Sequence, residues 1–330
     1  MKQRRLGKTG FMVSEIALGT WQVGGVWGSD FDTANARAIL DGAMDAGVNF
    51  IDTADVYSGG DSEIAVGQAV RAARSRGLAV HVATKCGRYI NPHVNEGYTP
   101  AALRTYVEAS LKRTGFETLD LVQLHCPPTA VYYRPEIFSL FDDLKREGKV
   151  QNLGVSVEKV EEALKAVEFD NVATVQIIFN MFRHRPADLF FARAAARDVG
   201  IIVRVPLASG LLTGKFSAAS NFDPADHRAF NREGAAFDKG ETFSGVPYAT
   251  GLRAVAELEA VFGKPGLAAA ALRWILDFAA VSTVIPGASR PDQISRNLTA
   301  SERPALTAEQ TAAVLRIYNT QIKPLVHQIW

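Results

Sequence analysis

Val48-Asn49-Phe50-Ile51-Asp52-Thr53-Ala54-Asp55-Val56-Tyr57 is the stretch on which the reading of this chain turns. Residues 48–51 form a largely apolar run of the length of a buried strand. An acid, Asp52, ends the run, and a phenol, Tyr57, follows five residues later. Two later runs end in the same manner. Residues 79–83 lead into Thr84-Lys85, and residues 119–124 lead into His125. An acid, a phenol, an amine and an imidazole therefore stand just past strand ends. If the strands are neighbours, the four groups share one mouth.

The spacing around this stretch extends the pattern. Helical periodicity fills 33–46, with Ala38, Ile39, Ala43 and Met44 on one face, a cap at Asp32 or Thr33 and a stop at Gly47. Further helices are expected over 62–74, 99–113, with Pro100 in its first turn, 135–147, 159–167 and 187–199. Strands are expected over 16–18, 48–51, 79–83, 119–124, 150–155, 173–178, 201–205 and 283–285. Strands that alternate with helices pair in parallel through right-handed crossovers. Eight such units in one domain spanning 1–330 point to an α/β chain folded as a closed (β/α)8 TIM barrel. An N-terminal β-hairpin over 4–13 and extra C-terminal helices, including 307–319, complete it. The rival is a doubly wound sheet, which announces a dinucleotide with G-x-G-x-x-G after its first strand; no such run occurs. The stretch 206–247 is long for a structureless connection, and 216–247 is read as a cover over a bound cofactor.

Composition narrows the function. Hydrophobic residues make up 47% and charged residues 22%, so the chain can bury a sizeable core. A net charge of +1 gives no reason to expect nucleic acid or an anionic membrane surface. Residues 266–285 are the most apolar late segment, but Arg273 and Asp277 interrupt them, so no membrane span is expected. Residues 1–10 lack the apolar core of a signal peptide. Two cysteines, Cys86 and Cys126, fit a reducing, cytoplasmic setting and are read as inert buried thiols. The histidines outside the site show no metal-ligand spacing, so no metal is expected.

The four polar groups suit one task. A tyrosine titrates near pH ~10, and a neighbouring ammonium lowers that value. A carboxylate keeps the lysine charged and fixed. The imidazole orients a substrate oxygen. Such a set donates a proton to an oxygen that becomes an alkoxide. The hydride that completes the reaction comes from no side chain and implies a nicotinamide cofactor.

At this point the chain resembles the aldo-keto reductase family over nearly its full length. The resemblance is carried by Arg5-Leu6-Gly7, Leu18-Gly19-Thr20-Trp21, Asp52-Thr53-Ala54 with Tyr57, Thr84-Lys85 and His125. It continues through Gly154-Val155-Ser156, Gln176 with Asn180, Pro206-Leu207-Ala208-Ser209-Gly210-Leu211-Leu212-Thr213-Gly214-Lys215, and Ile285-Pro286-Gly287-Ala288 leading to Asn297. It implies reversible NADPH-dependent reduction of a small aldehyde or ketone. Tyr57 would be the general acid, Lys85 and Asp52 would tune it, and His125 would position the carbonyl. Trp21 and Trp27 would wall the substrate pocket.

The resemblance also implies a cofactor set for NADP(H). Gly19, Thr20, Trp21 and Asp52 would lie by the nicotinamide. Ser156 and Gln176 would bind its carboxamide, and Arg204 would stack on its ring. Pro206, Leu207, Ser209, Gly210, Leu212 and Lys215 would hold the pyrophosphate. Gly287, Ser289, Arg290, Gln293 and Asn297 would surround the adenine ribose, with unpaired N–H groups of a helix start beside Arg290. Val157 and Arg296 depart from the family's asparagine and glutamate. Two other readings stand beside this one: a regulatory nucleotide-binding barrel of slow turnover, and an NAD-linked sugar or alcohol dehydrogenase. Arg88, Arg183 and Arg185 could clamp an anion but are read as solvated surface residues.

Overall fold

The computed structural model describes residues 1–25 and 30–330; Trp27 lies outside them. The chain opens with an antiparallel hairpin, β1 (Gln3–Arg5) and β2 (Met12–Ser14). The barrel follows as β3 (Leu18–Gly19), α1 (Thr33–Asp45), β4 (Phe50–Asp52), α2 (Asp61–Ser75), β5 (His81–Cys86), α3 (Pro100–Thr114) and β6 (Leu119–His125). It continues with α4 (Pro135–Arg146), β7 (Val150–Ser156), α5 (Val160–Ala166), β8 (Val172–Ile178), α6 (Phe190–Ala196) and β9 (Gly200–Arg204). A short helix, α7 (His227–Phe230), interrupts the long connection to α8 (Tyr248–Phe262) and α9 (Leu267–Leu276). Then come β10 (Val281–Val284), α10 (Asp292–Glu302), α11 (Ala308–Ile317) and α12 (Lys323–Val326).

Strands β3 to β10 form one parallel sheet in chain order. Parallel bridges Ile16↔Val284 and Gly19↔Gly287 join its two edges, so the sheet closes as the expected (β/α)8 barrel. The seam is tight: a Cβ on Gly19 would lie 2.9 Å from the Ile285 carbonyl oxygen. A side chain there would push the first strand off the last.

Local chemistry sets the helices. The Asp32 side chain accepts from the Asn35 backbone N–H and starts α1. Thr99 does the same for α3, with Pro100 in its first turn. Helix α4 buries Ile137, Phe138, Leu140, Phe141 and Leu144, an i, i+3, i+4, i+7 stripe. Each of these side chains contributes about 1.5–3 kcal/mol on leaving water, so this face pins the helix to the sheet.

The strand ends differ from the sequence reading. Asp52 and His125 are the last residues of β4 and β6, and Lys85 is the next to last of β5, so each belongs to its strand's end rather than to the loop just past it. Hydropathy stops at the first polar side chain, but the backbone ladder continues. Asp52 pairs with Ala83, and Lys85 pairs with Gln123. Side chains two apart on a strand share a face, and this organises the interior. Phe50, Ala83, Leu121 and Ile202 form an apolar layer with Leu6 and Val13 of the hairpin, which plugs the barrel floor. Two residues further along the same strands stand Asp52, Lys85, Gln123 and Arg204. The polar site is the next layer up, at the C-terminal mouth.

Candidate active site

Lys85 Nζ is the hub. It donates to Asp52 Oδ1 at 2.5 Å, to the Thr53 carbonyl at 2.9 Å and to the Tyr57 hydroxyl at 3.2 Å. The other Asp52 oxygen accepts from Gln123 Nε2 at 3.1 Å and Gln176 Nε2 at 2.7 Å. A buried carboxylate is tolerable when its lone pairs are filled by donors, and here three side chains fill them. Gln123 was missed in the sequence reading. Its signal was the period of two, because it precedes His125 by two residues on β6 and shares its face.

Tyr57 faces His125 edge-on, with ring centroids 6.0 Å apart. The sequence reading expected Lys85 to bring the phenol down. The ammonium does pull that way, but burial pushes harder and Asp52 adds to it, so the Tyr57 pKa is raised. The phenol is held protonated. Burial opposes the charge on Lys85, yet Asp52 and then Tyr57 outweigh it and raise its pKa. Burial, followed by the charges of Lys85, Arg88 and Arg204, holds His125 well below the usual imidazole range. It is a neutral ring, and its Nδ1 has no hydrogen-bond partner among the described residues.

These groups open onto a cavity of about 790 Å³. It runs past Gly19, Thr20 and Trp21, along Ser156, Gln176 and Arg204, and on to Pro206, Leu207, Ser209 and Gly210. Lys215, Gly287 and Gln293 line its far end. Leu212 does not line it; that side chain is fully buried in the core, packed there because the turn over 208–213 points it inward. Ser209 Oγ donates to the Glu241 carbonyl and accepts from the Phe243 N–H, so it ties the long connection to the barrel. Half of the Gln176 amide is spent on Asp52, which leaves its carbonyl oxygen, 3.5 Å from Ser156 Oγ.

At the far end the expected free N–H groups are already used. Gln293 Oε1 accepts from the Ser289 N–H, the Ser289 hydroxyl and the Arg290 N–H. Asp292 pairs with Arg290 at 3.1 Å and with Arg296 at 2.9 Å, all three being exposed. Asn297 Nδ2 reaches the Gly287 carbonyl at 3.5 Å. Burial lowers the Lys215 pKa, and the nearby charges of Arg228 and Arg290 lower it further. Lys215 and Arg228 line this end of the cavity, with Arg290 near enough to act on Lys215, and positive charge there suits the phosphates of a dinucleotide. The residues present therefore fit a nicotinamide cofactor.

Arg88 and Arg183 are not solvated surface residues. Arg183 is buried, with its guanidinium 4.3 Å above the Trp330 ring. Arg88 lines the cavity, in a cluster with Cys126, Glu158, Arg204 and Glu241. The Arg204 side chain donates to the Val157 carbonyl at 3.0 Å and to Glu158 at 3.1 Å, and pairs with Glu241 at 3.5 Å. Cys126, Glu158 and Glu241 bring ligand atoms within 4.8 Å of one another. Burial, and then the charge of Glu241, push the Glu158 pKa well up, so Glu158 keeps its proton; burial opposes the charge on Glu241, but Arg204 and Arg88 outweigh it and hold Glu241 ionised. Both cysteines are free and buried, and burial pushes both thiols up. Among the described residues no helix is long and apolar enough to cross a membrane.

Known proteins resemble this chain over nearly its full length. The profile of the Aldo/keto reductase family matches residues 15–319. The chain is 31% identical to a solved glycerol dehydrogenase of Gluconobacter oxydans, with a TM-score of 0.76 over 97% of this chain and 96% of that one. It is 29% identical to an NADH-specific methylglyoxal reductase of Escherichia coli, covering 91% of this chain and 93% of the relative. It is 30% identical to a probable voltage-gated potassium channel subunit beta of Oryza sativa, over 94% of each.

Proposed function

The chain belongs to the aldo/keto reductase family, and from that premise we propose that it reduces short aldehydes and ketones with NADPH, using Tyr57 as the proton donor. The observation that carries the proposal is the Lys85 ammonium, in contact with both Asp52 and the Tyr57 hydroxyl beneath a cavity that also holds His125. A bound nicotinamide supplies the hydride. The chain's own residues handle the oxygen. Neutral His125 donates an N–H to the carbonyl oxygen and fixes its position. Tyr57, protonated at rest, gives its proton to that oxygen as it becomes an alkoxide. The phenolate left behind faces Lys85 at 3.2 Å, where the ammonium stabilises it. Asp52, held by Gln123 and Gln176, keeps Lys85 charged and in place.

Ser156 and the Gln176 carbonyl would hold the carboxamide, with Gly19, Thr20 and Trp21 beside the ring and Arg204 at its edge. Lys215 would meet the pyrophosphate, and Arg290 with Ser289 the ribose phosphate. The E. coli relative is named NADH-specific, so the choice of NADPH rests on Arg290. The reverse reaction, oxidation of an alcohol, is the second reading; the solved glycerol dehydrogenase supports it.

The test is an absorbance assay of NADPH and NADH consumption over a panel of carbonyl compounds, with the parent and Tyr57→Phe. Removing only the hydroxyl should lower turnover by roughly 10²–10⁴, while the cofactor dissociation constant holds. Near-normal turnover in the variant would remove Tyr57 from the role.

A further inference from the structure

The long connection between β9 and α8 meets the barrel mouth at a largely buried ring of four side chains. Arg88 follows β5, Glu158 follows β7 and Arg204 ends β9, while Glu241 belongs to the connection. Arg204 lies 3.1 Å from Glu158 and 3.5 Å from Glu241. Arg88 lies 3.5 Å from Glu241 and 3.8 Å from Glu158. The Glu158 and Glu241 side chains are only 12% and 11% exposed. Their carboxyl groups bring oxygens within 4.8 Å of each other and are hydrogen-bonded. Carboxylates only accept, so that bond needs a proton on one of the two. Two like charges so close and so buried cannot both ionise. Glu158 Oε1 receives no donor among the described residues, as suits an oxygen that is itself the donor. Glu241, whose charge Arg204 and Arg88 favour, is the acceptor.

We infer that Glu158 and Glu241 form a proton-shared latch between barrel and connection: one proton holds residues 238–245 on the mouth, and its loss as pH rises lets them go. The latch stands on the four-group ring alone; its effect on a cofactor rests on the reading of 216–247 as a cover. With the connection docked, Glu158 faces the Glu241 charge and keeps its proton. With the connection lifted, Glu241 leaves and water enters. Glu158 then stands beside Arg204 and Arg88, which favour its charged form. Docking therefore takes up one proton at Glu158. Below the usual carboxyl value of 4.5 both states hold that proton and pH has no effect. Above it docking weakens as pH rises, by at most roughly tenfold per pH unit, until the higher docked value is passed.

The other groups around the pair titrate elsewhere. Burial brings His227, on the connection, down from 6.5 to about 4. Its release opposes the latch between those values and is silent above them. Burial pushes Tyr57, Cys126 and Tyr132 up, so all three stay protonated. Burial brings Arg183 down only to about 10, so it stays charged. Asp238, also on the connection, adds negative charge near Glu158 and helps hold its proton. With two guanidiniums in the ring, the pair offers no cation site. Between about pH 7 and pH 8.5 the change falls to Glu158.

The experiment follows limited proteolysis within 216–247 at pH 7 and pH 8.5, without cofactor, in the parent, Glu158→Gln and Glu241→Gln. Each rate is taken relative to Glu158→Gln, which removes the protease's own pH response. Glutamine keeps a donor toward Glu241 at every pH, so Glu158→Gln is the latch held shut. Relative cutting of the parent should rise by roughly tenfold over this range, and Glu241→Gln should show a smaller rise. Should Glu158→Gln fold poorly, the parent against Glu241→Gln carries the same comparison. A parent whose relative cutting does not change with pH overturns the latch. So does a full parent slope in Glu241→Gln, or a segment left uncut in every protein. In a second arm NADPH is bound first and its release is followed by stopped-flow fluorescence. Release should quicken with pH in the parent and stay level in Glu158→Gln. A slope in proteolysis without one in release leaves the latch standing and overturns the cover. Failure to bind NADPH at all counts against the reductase reading and leaves the cofactor-free arm intact.

Discussion

Lys85 Nζ and Asp52 Oδ1 lie 2.5 Å apart, and neither side chain is more than 2% exposed. Breaking such a pair from one side leaves a buried charge without its partner, which costs about 3–5 kcal/mol. Removing both charges costs less. Lys85→Met should therefore lose about that much stability in urea unfolding, and Lys85→Met with Asp52→Asn should recover part of it. Turnover should stay low in both, because the phenolate of Tyr57 has lost its counter-charge. A double variant less stable than Lys85→Met alone would show that the pair does not act as a unit.

Asp55 gives a pH dependence of stability. Its carboxyl is fully buried, and neither oxygen has a side-chain donor among the described residues; the Arg113 charge and the Val56 N–H pull the other way but do not outweigh burial. Burial, and then the charge of Glu63, push its pKa from 3.8 up to about 7. The unfolded chain releases this proton near pH 4, and the folded chain keeps it to about pH 7. Between those values the folded state holds more protons, so stability falls as pH rises through the window and stays lower above it. The whole effect amounts to about 4 kcal/mol at most. Asp55→Asn cannot take a charge. In urea unfolding at pH 5 and pH 8, the variant should gain on the parent at the higher pH. A gap that does not change between the two would mean that Asp55 is not the titrating group.

How much of this was legible in the sequence depends on what set each feature. The barrel was legible because every strand had an apolar core and every crossover a helical stripe. Its strand ends were not, because backbone pairing carries on through Asp52, Lys85 and His125 after hydropathy has stopped. Gln123 was readable in principle, two residues before His125 on one face. The cluster at Arg88 was not readable. Arg88 and Glu241 stand 153 residues apart, and no local pattern signals their meeting. The raised phenol of Tyr57 was hidden for a related reason. Burial sets its sign, and burial belongs to the packed molecule.

Arg290 governs the choice of cofactor under the proposed function. Its partner Asp292 is exposed, and an exposed pair is worth little. A ribose phosphate can therefore take Arg290 from Asp292 at small cost and gain a charge-assisted, planar contact. That contact is worth about 1.5–3 kcal/mol. Arg290→Ala should weaken NADPH by roughly tenfold to a hundredfold in a fluorescence titration and leave NADH nearly unchanged. Equal loss for both cofactors, or tighter NADH binding in the parent, would assign the preference elsewhere.

The connection over 206–247 supplies the last prediction. Its later part is pinned from outside the barrel mouth. Trp330 Nε1 donates to Asp238 Oδ1 at 2.7 Å, and Arg183 covers the other face of the ring while donating to the carbonyls of Gly240 and Ser244. The fit leaves no slack, since a Cβ on Gly245 would lie 2.5 Å from the indole. Phe237 precedes this anchor and packs on Trp21 at the cavity mouth. If 216–247 covers the cofactor, this anchor is what holds the cover down. Trp330→Ala removes the indole, its hydrogen bond and the surface beneath Arg183, so residues 238–245 should open more often while the barrel stays folded. Limited proteolysis should cut the variant faster than the parent within 216–247, and NADPH should protect both. Cofactor release, followed by stopped-flow fluorescence, should be faster in the variant, because a closing segment slows release only while it is held down. Equal cutting with and without NADPH would show that the segment does not cover the cofactor. Unchanged release in Trp330→Ala would show that Trp330 does not hold it.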